Sequence, residues 1–314
     1  DAQESRGLGD VYKRQMLKGH IAGDAMGVPF EFISRNKVNA KEMIGFGTYD
    51  QPKGSWSDDT VFTLATLDNL IENGSQFDLL DKFVEIANNN YIKNYNLFDV
   101  GVQTNYAIIH YKFNDKLLLN DDFYSNGNGS IMRIHPLVVI DTNQLLEYIT
   151  NYSSITHAHK ISIIGCYIYV LYLKCLFNNL THRQSIKYIN QQLKYLKSKT
   201  HSYDDEIDNV YARILSNDIE YLNVDQIKST GYIVDSLEAA IWCVINNEWN
   251  SFEDHMFGAI NLGGDTDTIA AMTGALYGAK TGDVKSINKF YNEIILKDQV
   301  DQKLNNFIEK FKNI

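Results

Sequence analysis

Residues 161–177, ISIIGCYIYVLYLKCLF, form an apolar run whose only charged residue is Lys174. A helix that is hydrophobic all round must be enclosed, by lipid or by the rest of its own chain. The run is short against the about 20 residues that a membrane span needs, and it carries a lysine. The expectation is therefore a central, fully buried helix, with no membrane partner.

Helical spacing dominates elsewhere too, and only 3 prolines interrupt 314 residues. In 59–73, Phe62, Leu64, Ala65, Leu67, Leu70 and Ile71 recur at intervals near three and four, with Gly74 placed as a C-cap. Residues 233–247, 254–262, 267–280 and 284–296 follow the same period. The asparagine-rich pieces 88–96 and 178–202 are expected as peripheral connections. No Gly/Ser linker divides the chain, so one all-α domain of many helices is predicted, with mixed α/β as the fallback. The opening DAQESRGLGDVYKRQ lacks an apolar period; residues 1–15 are read as a non-native or disordered extension and 16–314 as the domain.

Composition narrows the chemistry. A net charge of −10 disfavours a nucleic-acid groove or an acidic-membrane anchor, both of which need clustered Lys and Arg. Cys166, Cys175 and Cys243 sit in apolar helical patterns without metal-ligand spacing and are expected to be reduced core residues. With no secretion-type leader in view, a cytoplasmic setting is expected.

Two acidic clusters stand at predicted helix entrances. GSWSDDTVF, residues 54–62, places Ser57, Asp58 and Asp59 before one helix, and NLGGDTDTIAAMTGALYGA, residues 261–279, places Asp265, Asp267 and Thr268 before another. Capping explains one acceptor per helix. It does not explain adjacent pairs of acids, which repel unless a cation joins them. If the two mouths meet, the four aspartates and two hydroxyls form an oxygen-only shell suited to Mg²⁺ or Mn²⁺ rather than zinc. Gly263 and Gly264 permit a tight turn, and Ala271, Gly274, Ala275 and Gly278 form a stripe that lets another helix approach.

Three further stretches carry weaker signals. YSNGNGSIMRIHP, residues 124–136, is a polar loop whose amides can cradle a phosphate, although Asn-Gly pairs are also ordinary turn formers. Arg133 is placed either against a phosphate or against a surplus acid. His157 and His159 precede the buried helix, where capping is the commoner role, and Glu31 follows GHIAGDAMGVPF as a loop acid.

Taken in order, GDAMGVPFE, GSWSDDT, NGNGSIMR, THAHK and NLGGDTDTIAAMTGALYGA resemble the ADP-ribosylglycohydrolase family over residues 17 to about 282. The resemblance implies a single-domain orthogonal multi-helix bundle. It also implies two Mg²⁺ (or Mn²⁺) ions and removal of ADP-ribose from a modified protein or small-molecule acceptor. Nucleic acid enters only as an ADP-ribosylated substrate. Matched motif by motif, Ser57, Asp58, Asp59, Asp265, Asp267 and Thr268 are the implied metal ligands, with Ser57 where many members have Thr. Glu31, Asp58, Asp59 and Asp265 are the implied catalytic set. Asn126, Gly127, Asn128, Gly129, Ser130 and His157 would line the substrate path. Two other readings keep the same acids: an inactive ADP-ribose-binding relative, and a metal-dependent nucleotide phosphoesterase.

Overall fold

The computed structural model describes residues 2–246 and 248–312, with side chains from residue 9 onward. Twelve α-helices follow one another among the described residues. They are α1 (Ala2–Gly27), α2 (Asp58–Glu72), α3 (Gln76–Ala87), α4 (Val102–Asn114), α5 (Thr142–Ser154) and α6 (Lys160–Phe177). The rest are α7 (His182–Lys199), α8 (Ile233–Ile245), α9 (Phe252–Ile260), α10 (Thr266–Thr281), α11 (Val284–Tyr291) and α12 (Lys297–Lys310). Strand pairing among the described residues is confined to two isolated bridges, Phe46–Gln51 and Gly127–Tyr232. The all-α expectation holds.

The apolar run becomes α6, buried except at Lys160, Lys174 and Phe177. It is the one described helix long and apolar enough to cross a membrane, yet the other helices cover it. Lys174 donates to the carbonyls of Val138 at 2.8 Å and Ile140 at 2.7 Å, and burial lowers its pKa.

The closest helix pairing is α1 against α10. A Cβ at Gly19, Gly23 or Gly27 would overlap the backbone of Gly274, Ala270 or Asp267, and one at Gly274 or Gly278 would overlap Gly19 or Gln15. The small-residue stripe of α10 thus has its counterpart on α1, and the two backbones nearly touch. This contact carries the floor of the acidic site.

Several expectations are corrected. Residues 2–15, set aside as an extension, continue α1, and Lys13 and Gln15 are buried; Asp1 and the side chains of 2–8 lie outside the described residues. Residues 178–202 contain α7, an amphipathic helix started by a Thr181–Gln184 capping box and buried through Ser185, Ile186, Ile189 and Leu193. So few apolar anchors among polar residues left its period faint. The C-cap of α2 is Asn73 in the left-handed region at φ 54°, not Gly74. The helix expected over 284–296 stops at Tyr291 with Asn292 as its C-cap; beyond it Ile295 N bonds to Gly54 O at 2.9 Å, and Leu296, at φ 54°, starts α12. The segment expected to run helically to 247 ends at Ile245, and residue 247 itself lies outside the described residues.

Candidate active site

The mouths of α2 and α10 meet. Thr268, in the first turn of α10, donates from Oγ1 to Asp59 Oδ2 at 3.1 Å across 209 residues of sequence. Ser57 is the N-cap of α2, accepting from Asp59 N at 3.2 Å and lying 3.4 Å from Asp59 Oδ2. On the α10 side, Gly263 and Gly264 adopt φ of 70° and 73°, a region open to glycine at little cost. The turn they make seats Asp265 N on the Ser229 carbonyl at 3.0 Å.

Glu31 reaches the same place from α1. Beyond Pro29 the chain leaves the helix, and Phe32 N bonds to Gly264 O at 2.7 Å while Gly264 N bonds to Ile33 O at 2.9 Å. That pairing holds Glu31 beside the α10 mouth. Ligand oxygens of Glu31, Asp265 and Asp267 all lie within 4.8 Å of one another. Four buried carboxylate oxygens here, Glu31 Oε2, Asp59 Oδ1, Asp265 Oδ1 and Asp267 Oδ2, have no hydrogen-bond partner among the described residues.

Buried, unpaired negative charge is costly, and the acids respond. Burial, reinforced by Asp99, pushes Glu31 up to about 9. Burial and the neighbouring carboxylates raise Asp58, Asp59 and Asp267 well above the usual range, and burial raises Asp265. Four unsatisfied hard oxygens converging from three chain segments are a donor set that fits a divalent cation.

Asp24 and Asp99 carried no assignment from sequence. Asp24, on α1, accepts from Ser57 N at 2.9 Å and from the Thr60 amide at 3.1 Å and the Thr60 hydroxyl, so it caps α2 from outside that helix. Burial pushes it up to about 7. Its signal was present in GDAMG, an acid flanked by small residues inside a helical period. Asp99 accepts from the Tyr49 hydroxyl and faces the cavity beside Glu31. It stands alone in an irregular segment, so nothing local marked it.

The acids open into a cavity of about 500 Å³. Glu31, Asp58, Asp59, Asp265 and Thr268 line it, with Gly127, Asn128, Gly129 and His157 opposite. Asn128 bridges the two walls, donating from Nδ2 to Asp265 Oδ2 at 2.8 Å and Ser236 Oγ at 3.0 Å. Its own amide is taken by the Gly231 carbonyl at 2.9 Å, so that amide does not serve as an open anion donor.

Two residues expected on the substrate path turn away from it. Asn126 is buried in the scaffold, donating to Phe123 O at 2.7 Å and accepting from Ser162 Oγ at 2.9 Å. Ser130 is buried against Cys166 Sγ at 3.4 Å. Of the three side chains in this irregular segment only that of Asn128 reaches the acids, because the scaffold bonds of Asn126 and Ser130 hold the loop on either side of it. Arg133 does not line the cavity and pairs with no acid among the described residues: it is buried over Phe83, donating to Gly129 O at 3.2 Å and Thr156 Oγ1 at 2.9 Å. It braces the loop from behind. Thr156 Oγ1 lies 2.7 Å from His157 Nδ1, and burial with Arg133 nearby lowers His157 to about 3, so this ring is neutral. His159 caps α6, accepting from Ile161 N at 3.2 Å.

The family model for ADP-ribosylglycohydrolase matches residues 11–302. The chain is 29% identical over 277 residues to an ADP-ribosylarginine hydrolase of Pseudomonas putida, spanning 85% of this chain and 69% of that protein. It is 25% identical over 272 residues to the ADP-ribosyl-[dinitrogen reductase] glycohydrolase of Rhodospirillum rubrum, spanning 84% and 83%. The solved structure of an ADP-ribosylglycohydrolase-related protein complex shares the fold, with a TM-score of 0.78 at 21% identity over 97% of this chain and 99% of that one. The family pattern runs through nearly the whole chain, and the chain belongs to the ADP-ribosylglycohydrolase family, enzymes that hydrolyse the glycosidic bond to ADP-ribose.

Proposed function

We propose that this chain is a divalent-metal-dependent hydrolase that releases ADP-ribose from arginine-linked acceptors. The observation that carries the metal is the set of four unpartnered buried oxygens on Glu31, Asp59, Asp265 and Asp267. Glu31, Ser57, Asp58, Asp59, Asp265, Asp267 and Thr268 would hold two Mg²⁺ or Mn²⁺ ions. Bound there, the ions supply Lewis-acid polarisation and orientation of the sugar hydroxyls.

The chain's own residues do the rest. Asn128 fixes the rotamer of Asp265 through its 2.8 Å bond. Gly127 and Gly129, without side chains, leave room for the ribose and diphosphate against the loop. Glu31, buried beside Asp265 and Asp99, is the carboxylate placed to hold or move the proton of the attacking water. The surrounding carboxylates stabilise positive charge developing at the anomeric carbon.

Asp99 supports the arginine assignment. It stands with Glu31 in the cavity, which has no Lys or Arg among its described lining residues, so a departing guanidinium finds acceptors for its planar donors. All three cysteines are buried and unpaired, which supports placing the enzyme in a reducing compartment such as the cytoplasm.

The test is a panel of arginine-, serine- and nucleic-acid-linked ADP-ribose, assayed with Mg²⁺ or Mn²⁺ and with EDTA. Intact ADP-ribose from the arginine-linked substrate, abolished by EDTA and by Asp265→Ala, is expected. AMP as the product would establish phosphoesterase action instead, and binding without turnover would establish an inactive relative.

A further inference from the structure

Helix α4 is apolar on two opposite faces. Thr104, Ala107, Ile108 and Tyr111 are buried on the side that packs against α3, where the Tyr111 hydroxyl donates to Asp81 Oδ1 at 2.9 Å. Val102, Tyr106, Ile109 and Phe113 recur at spacings of four, three and four, so they fall on one stripe. They are exposed at 88%, 58%, 43% and 79%.

The stripe begins at the active-site mouth. Val102 is itself a cavity-lining residue, and so is Tyr124, which is 93% exposed. Asn120 ties the loop bearing Tyr124 to α4, donating to Gln103 Oε1 at 3.2 Å and to Ser125 Oγ at 2.9 Å. A contiguous exposed apolar patch of this kind marks an interaction surface.

We infer that this stripe is the docking surface for the folded protein that carries the ADP-ribosylated residue, and that it engages apolar side chains flanking the modified arginine. The inference rests on the functional reading above. Its occupant follows from continuity: an ADP-ribosyl group that enters the cavity while joined to a protein brings that protein's surface down on the mouth, where the stripe starts. Phe113 lies about 16 Å along the helix from Val102, at about 1.5 Å per residue. A small ADP-ribosyl compound seated at the acids does not extend along the stripe; a protein acceptor does.

The test uses three substrates: free ADP-ribosyl-arginine, and a small soluble protein bearing one ADP-ribosylated surface arginine flanked either by leucines or by serines. The native chain is expected to prefer the leucine-flanked protein by about tenfold in kcat/KM, mostly through KM. Ile109→Ser with Phe113→Ser removes that preference, leaves the rate on free ADP-ribosyl-arginine unchanged and leaves the melting temperature unchanged. A surviving preference, or equal losses on all three substrates, overturns the docking surface. So does a native dimer that the double variant converts to a monomer while the preference persists, which assigns the stripe to a second copy. If the native chain releases no ADP-ribose from the free compound, the functional reading falls and takes the assigned partner with it.

Discussion

Thr268 and Asp59 are joined by a 3.1 Å hydrogen bond across 209 residues. It places the N-termini of α2 and α10 face to face, so the positive ends of two helix dipoles point into the acidic site and offset part of its charge. Helix α1 enforces the meeting. Asp24 caps α2, and Gly27 lies against the backbone of Asp267.

Thr268→Val keeps the side-chain shape and removes the hydroxyl. Asp59 Oδ2 then keeps only the longer 3.4 Å approach of Ser57 Oγ. Apparent metal affinity is expected to fall by about 10- to 100-fold, as for other substitutions around metal sites, while Thr268→Ser retains most of it. Titration of ADP-ribose release with Mn²⁺ checks both.

Asp267→Asn separates stability from activity. Burial and neighbouring carboxylates raise the Asp267 pKa, so its charge costs stability when no cation is present. In EDTA the variant is expected to melt about 2 to 4 °C above the native chain, corresponding to about 1 kcal/mol. With Mg²⁺ or Mn²⁺ it loses the ligand-dependent rise in melting temperature and nearly all activity. A metal-free variant that melts lower than the native chain contradicts this account.

Gly23→Ala tests the helix contact beneath the site. Its Cβ would overlap the carbonyl of Ala270, and backbone does not yield cheaply. The expected cost is about 1 to 3 kcal/mol, with a larger relative loss of activity because the acids of α10 move with the helix. Gly9→Ala is the control: nothing lies within 4 Å of the added methyl, and helix propensity predicts a gain of up to about 1 kcal/mol. Chemical denaturation and steady-state kinetics read the pair.

Asp99→Asn is expected to lower kcat/KM on arginine-linked ADP-ribose by about 10- to 100-fold, the loss of one hydrogen bond to a charged partner. The serine-linked substrate should change much less. Equal losses on both substrates remove Asp99 from acceptor recognition.

Acid stability reports the buried histidine pair. His20 and His135 pack with ring centroids 4.2 Å apart, both fully buried. Burial lowers His20 to about 4, and burial with His20 beside it lowers His135 well below its ordinary value of 6.5. Both rings are neutral when folded and take up protons when unfolded, so their stability contribution is present above about pH 6.5 and lost as the pH falls. His135→Leu is expected to flatten the stability–pH slope below pH 6.5 by up to about 1.4 kcal/mol per pH unit, one proton's share. Urea melts at pH 7 and pH 5 measure it.

Much of the fold could be read locally. Strong periods, as in α2, α6 and α10, and small-residue stripes are properties of contiguous residues. Amphipathic α7 has a faint period because only four of its residues are buried, and α2 is capped one residue before Gly74 because Asn73 adopts a left-handed backbone conformation that glycine would usually take. The surplus acids at two helix entrances were equally visible, since a cap needs one acceptor and these clusters hold more.

Sequence alone determined the helical class, the identity of the acidic motifs and the surplus of carboxylates beyond what capping uses, because those follow from residue type and near-neighbour spacing. Tertiary structure decided which groups share the site. It brought Glu31 against Asp265 and Asp267, added Asp24 and Asp99, turned Asn126 and Ser130 inward, and put Arg133 behind the loop instead of in the cleft. Those outcomes depend on how α1 packs against α10 and on the turns at either end of that contact. Contacts between residues far apart in the chain leave no periodicity for a sequence to display.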